Sequence, residues 1–216
     1  MGKSEKLYFE NGGGQSFHYL RYVPSAMSGT FPLVIFLHGA GERGSEDGSE
    51  LDLVKRYFWF DRVDRGEEFP FIMAAPQCPR ERYWGCYIES LERFRAFLLD
   101  TLPVDPGRVY LTGLSMGGTG SWLWSLGYPE HFAAVAPVCG TGVYWYGEKL
   151  ADKPVWAFHG DLDDTVPPRE SLDMVSSINR RGGHAKLTLL HGVGHDAWTE
   201  AYRGTKLMDW FLEQHI

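Results

Sequence analysis

The sequence predicts an α/β protein built on a mostly parallel, twisted sheet of about eight strands with helices on both faces. Three observations carry that expectation. Short apolar runs, typical of strands buried on two faces, alternate with helix-period segments, the pattern of right-handed β-α-β units. Short Gly- and Pro-containing joins separate them, and none reads as a domain linker, so 1–216 is expected to form one domain. Residues with chemical potential then fall just after the strands, at the carboxyl edge where open α/β sheets place their chemistry.

Taken in order, Leu7–Glu10 and Phe17–Val23 flank Asn11-Gly-Gly-Gly14 and predict an antiparallel hairpin. Six apolar runs follow: Leu33–Leu37, Phe71–Ala75, Val109–Leu111, Phe132–Ala136, Val155–Phe158 and Lys186–Leu190. Between them, Glu89–Leu99 sets Leu91, Phe94, Phe97 and Leu98 on one helical face. Gly118–Leu126, Arg169–Ile178 and Thr205–Leu212 are the other predicted helices. The segment Thr141–Lys153 precedes the fifth run's strand and is short, with Tyr144-Trp-Tyr146 as its apolar tip, which predicts a site without a large lid.

Composition narrows the function. A formal net charge of −7 with no basic cluster argues against nucleic acid or an anionic membrane as the main partner. No apolar run approaches a membrane span. Met1–Lys6 shows no signal-peptide core, and the three cysteines, Cys78, Cys86 and Cys139, contain no C-x-x-C; both point to free thiols and a cytoplasmic setting. Oligomeric state, monomer or homodimer, is left open. Neither a His-Glu-x-x-His pattern nor clustered cysteines occur, so no metal and no cofactor are expected.

Four segments converge on one sheet edge: His38-Gly-Ala-Gly41, Gly113-Leu-Ser-Met-Gly117, His159-Gly-Asp-Leu-Asp163 and Gly192-Val-Gly-His195. Ser115 stands between two glycines where a strand, Arg108–Thr112, meets a helix, which reads as a nucleophile elbow. Serine, acid and histidine follow in that order. His195, in a late Gly-rich turn, is the candidate base for a hydroxyl that needs one near neutral pH. Asp161, Asp163 and Asp164 are all candidate acids on spacing alone. Asp196 reads better as a loop-capping carboxylate.

These stretches, with Ala75-Pro-Gln-Cys-Pro79, Asp163-Asp-Thr-Val-Pro167 and Gly194-His-Asp-Ala-Trp198, resemble the α/β-hydrolases of the small carboxylesterase and phospholipase type. That group takes in feruloyl-esterase-like and dienelactone-hydrolase-like proteins and predicted peptidases. Dienelactone hydrolases proper use a cysteine where this chain has Ser115. The resemblance implies an α/β-hydrolase fold and a serine carboxylesterase acting on small soluble esters through an acyl-enzyme. Carbohydrate acetyl or feruloyl esterase and small peptidase are the alternatives, and a non-catalytic binding module is a third. It implies Ser115, Asp163 and His195 as the triad, with the amides of Met116 and Ala40 as the oxyanion hole and Gly41 as the substitute for Ala40.

Other residues have plainer readings. His38 is expected to anchor its loop, and His159 to be a packing residue near the acid loop. Glu42 and Arg43 read as a local ion pair, with a substrate-facing Arg43 as the alternative. Trp84, Trp145 and Trp198 fall in loops on the catalytic side, where they are candidate substrate-binding residues.

Overall fold

A computed structural model describes residues 3–25 and 28–216. Met1 and Gly2, part of the N-terminal stretch read above, lie outside the described residues. Eight strands form one sheet: β1 (Glu5–Phe9), β2 (Phe17–Tyr22), β3 (Phe31–Leu37), β4 (Ile72–Pro76), β5 (Val104–Leu114), β6 (Ala134–Val138), β7 (Trp156–Gly160) and β8 (Lys186–Leu190). Their spatial order is β1-β2-β4-β3-β5-β6-β7-β8. The β1–β2 hairpin and the β2–β4 pair are antiparallel, and every pair from β4 to β8 is parallel.

Alternating side chains divide the core. On one face Val34, Phe36, Tyr110 and Phe158 pack with Phe60 and Val63 of α1 (Phe60–Asp64) and Leu207 and Phe211 of α5 (Leu207–Leu212). On the other, Leu33, Ile35, Val109 and Leu111 meet Leu91, Phe94 and Leu98 of α2 (Ile88–Thr101). The helix α3 (Met116–Gly127) sits on this second face. Its Trp122 and Leu126 pack with Met174 and Ile178 of α4 (Arg169–Arg180). Period-2 alternation in the strands thus feeds two helical layers.

Two readings change. The nucleophile strand runs through Asp105-Pro106-Gly107, residues that punctuate a sequence as a turn; its pairing with β3 shifts register between Phe31 and Leu33 to admit them. Lys186–Leu190 pairs as an edge strand rather than one buried on both faces: Leu189 is exposed, and the Lys186 ammonium lies 3.8 Å from the Trp156 ring centroid. A charged cover of that kind protects an edge from further pairing. Among the described residues no helix is long and apolar enough to cross a membrane.

Candidate active site

The serine turn is made by close packing. A Cβ on Gly117 would overlap the carbonyl oxygen of Leu37, and one on Gly113 would overlap the backbone of Gly117. Glycine at both positions lets α3 press against the ends of β3 and β5. Ser115 is left at φ 53°, ψ −115°, a backbone an L-residue rarely adopts, held by its N–H donating to the Val138 carbonyl at 2.9 Å.

His195 follows β8 and reaches back over the sheet edge. Its Nε2 lies 2.9 Å from Ser115 Oγ, and its Nδ1 lies 2.7 Å from Asp163 Oδ2. Because the carboxylate can only accept, Nδ1 carries the proton and Nε2 accepts from the serine hydroxyl. This is the tautomer a general base requires. Asp163 Oδ1 accepts the Thr165 and Val166 amides, both at 2.9 Å. Burial by itself would raise the Asp163 carboxyl; the His195 bond, then the Val166 and Thr165 amides, outweigh it and hold it below the ordinary carboxylate range.

The neighbouring carboxylates are occupied elsewhere. Asp161 lies 2.6 Å from His191 Nδ1 and accepts the Gly192 amide at 2.7 Å, tying the β7 and β8 loops together. Asp164 is exposed. Asp196 accepts from the Thr199 amide and hydroxyl, the loop-capping arrangement expected of it.

The Met116 amide is the first of α3, a position that leaves an N–H without an intrahelical partner and at the positive end of the helix dipole. Ala40 opens a short 3₁₀ turn, Ala40–Glu42, shaped from beneath. Glu42 Oε2 accepts the Gly39 amide at 3.0 Å. The buried His38 accepts the Cys78 amide on Nε2 at 2.9 Å and donates Nδ1–H to the Gly39 carbonyl at 2.6 Å. Arg43 Nε donates to the Ala40 carbonyl, and its Nη1 to the Arg82 carbonyl. Glu42 and Arg43 therefore brace the turn through separate backbone bonds and do not pair with each other as expected.

The tryptophans separate into three roles. Trp84 is buried, with its indole N–H donating to the His38 carbonyl at 2.9 Å, so it supports the Ala40 turn from within the core and offers no open pocket wall. Its apolar ring and a polar tip that finds a carbonyl explain the burial. Trp198 stands edge-on to the His195 imidazole, with ring centroids 5.3 Å apart, and also packs on Tyr57. Trp145 is exposed beside α4 and meets the Tyr144 ring edge-on. The sequence also gave no sign of Tyr202, buried under the elbow: its hydroxyl donates to Thr112 Oγ1, which donates to the Ala136 carbonyl.

Cys139 Sγ, with one atom each of Asp163 and His195, forms a group within 4.8 Å. Burial pushes the thiol up to about 12, and the Asp163 and His195 atoms are spent on each other. The group reads as packing beneath the pair, not as a metal centre.

The sheet, its strand order and the serine turn after β5 make this an α/β-hydrolase fold, and the chain resembles the serine hydrolases that share it. The prolyl oligopeptidase family model matches residues 143–215. Among solved structures, a thermostable esterase is 30% identical with a TM-score of 0.85, covering 99% of this chain and 64% of its own. The S-formylglutathione hydrolase of Staphylococcus aureus superposes with a TM-score of 0.74 at 14% identity, over 99% of this chain and 97% of its own. A bifunctional acetylxylan esterase/xylanase of Neocallimastix patriciarum is 25% identical over 162 residues, 73% of this chain and 22% of the relative. The chain spans less than half the length of the curated relatives it matches.

Proposed function

We propose that this chain is a serine carboxylesterase acting on small soluble esters. The carrying observation is the unbroken relay from Ser115 Oγ through His195 to Asp163, with both ring nitrogens committed to the roles a base needs. In this reading Ser115 Oγ attacks the ester carbonyl while His195 Nε2 takes its proton, and Asp163 stabilises the resulting imidazolium. The Met116 and Ala40 amides donate to the oxygen that becomes negative. Collapse of the tetrahedral intermediate breaks the ester C–O bond, and His195 returns the proton to the leaving alcohol. Water, activated by the same imidazole, then attacks the acyl-enzyme and frees the acid and Ser115.

The exposed Ala40 and Gly41, and the lack of a large cover over Ser115 among the described residues, support access for a soluble ester. The free thiols support a reducing, cytoplasmic setting. The test is Ser115→Ala assayed on p-nitrophenyl acetate and butyrate. Expected is a loss of kcat/KM of on the order of 10³-fold or more, with a fluorophosphonate probe labelling the parent and not the variant. An unchanged rate in the purified variant ends the proposal. A parallel panel of acetylated xylan, feruloyl esters and short peptides separates the ester reading from its alternatives.

A further inference from the structure

A second imidazole lies against the acid of the relay. His159, the fourth residue of β7 and four positions before Asp163, is fully buried. Its Nε2 faces two acceptors: the Val166 carbonyl at 2.9 Å and Asp163 Oδ2 at 3.3 Å, the same oxygen that receives His195. An imidazole nitrogen facing only acceptors must carry the proton. Its Nδ1 lies 2.7 Å from Ser171 Oγ on α4 and, in the neutral ring, accepts that hydroxyl's proton. Burial keeps the ring neutral, against the opposing pull of the Val166 carbonyl and the Asp163 charge. Every bond on the ring therefore agrees on one tautomer and one orientation.

We propose that His159 is a positioning residue for the relay: its Nε2–H, locked in place by Ser171, fixes the Asp163 carboxylate so that Oδ2 meets His195 Nδ1 while sharing part of the oxygen's negative charge. Two consequences follow. The Val166 and Thr165 amides secure Oδ1, and His159 adds a restraint on Oδ2 that His195, on a half-exposed loop, does not supply by itself. Carboxylate charge shared with His159 is also charge withheld from the His195 imidazolium. The charged and titratable groups around the pair are His159 on β7, Cys139 after β6, and Asp196 beside His195 after β8. Of these three, only His159 approaches the carboxylate oxygen that His195 uses, at 3.3 Å.

The inference rests on the esterase reading, and its test keeps the two apart. His159→Phe keeps a ring and removes the donor; His159→Gln restores an amide donor for Asp163 and an acceptor for Ser171. With p-nitrophenyl acetate, His159→Phe is expected to lower kcat about tenfold to a hundredfold, the scale of a misplaced catalytic group, with little change in KM. The acidic limb of its kcat/KM profile is expected to move to higher pH, because Asp163 then presents its full charge to His195. His159→Gln is expected to recover most of kcat and return the limb toward the parent. A His159→Phe variant with parental kcat and an unmoved limb overturns the inference. So does a loss of activity that tracks melting temperature in both variants with the limb unmoved, which assigns His159 a purely structural part. If Ser115→Ala remains active the esterase reading itself fails; if it is inactive while His159→Phe is unaltered, only the positioning role falls.

Discussion

His38 shows how one buried side chain shapes the edge of the site. It stands at the end of β3, with one nitrogen accepting from Cys78 and the other donating to Gly39, so it is useful only as the neutral ring. Burial holds it down to about 4, the Gly39 bond opposing and the Arg43 charge adding to the shift. A histidine depressed in the folded state takes up its proton more readily when unfolded, so its contribution is complete above the unfolded value near 6.5 and is lost as the pH falls toward 4. Urea denaturation between pH 7 and 4 is expected to show this loss. His38→Gln, which can keep one acceptor and one donor, is expected to lose about 3 kcal/mol less than the parent over that window. Equal slopes for the two proteins would assign the acid sensitivity to other groups. The same single-residue logic separates Asp163 from Asp161 and Asp164: spacing leaves all three possible, and only the direction in which each carboxylate points distinguishes them.

At the scale of elements, the site is a set of strand ends braced from below. The Ala40 turn leans on Trp84, which belongs to a distant 3₁₀ turn, Trp84–Cys86, placed against α3. Trp84→Phe would keep most of the packing and leave the buried His38 carbonyl without its donor, a cost of about 1–3 kcal/mol. Expected are a lower urea midpoint and a reduced kcat with ester substrates, since the Ala40 amide is set by that turn; a variant matching the parent in both would remove Trp84 from the support of the turn. In the sequence Trp84 reads as a loop aromatic on the catalytic side. The reason is physical: a Trp-Gly-Cys turn has no periodicity to reveal which way its ring faces, and the bond to His38 spans 46 positions. The β5 strand was similarly shortened in the sequence, because Pro106-Gly107 breaks a local pattern that long-range pairing with β3 tolerates.

At the scale of the whole molecule, the serine lies at the rim of an eight-stranded sheet, with no large cover over it among the described residues. The stretch between β6 and β7 forms one 3₁₀ turn, Tyr144–Leu150, that packs on α4 and exposes Tyr144, Trp145 and Tyr146. With no large cover to displace, hydrolysis of p-nitrophenyl esters is expected to follow simple saturation, with no jump in rate when the substrate passes into micelles; a sharp rise there would reveal a cover that moves. The amino-acid sequence by itself determined the layered α/β architecture, the elbow at Ser115 and the order of the four loops, because each is written in local signals: strand and helix periods, paired glycines and residues just past strand ends. Tertiary structure alone decided that Glu42 and Arg43 brace a turn without pairing, that Trp84 is core, and that His159 touches the acid; the carboxylate that meets His195 is open on spacing, implied as Asp163 by the family resemblance, and set by side-chain direction. Those outcomes depend on side-chain direction and on bonds between segments far apart in the chain, and a one-dimensional pattern carries neither.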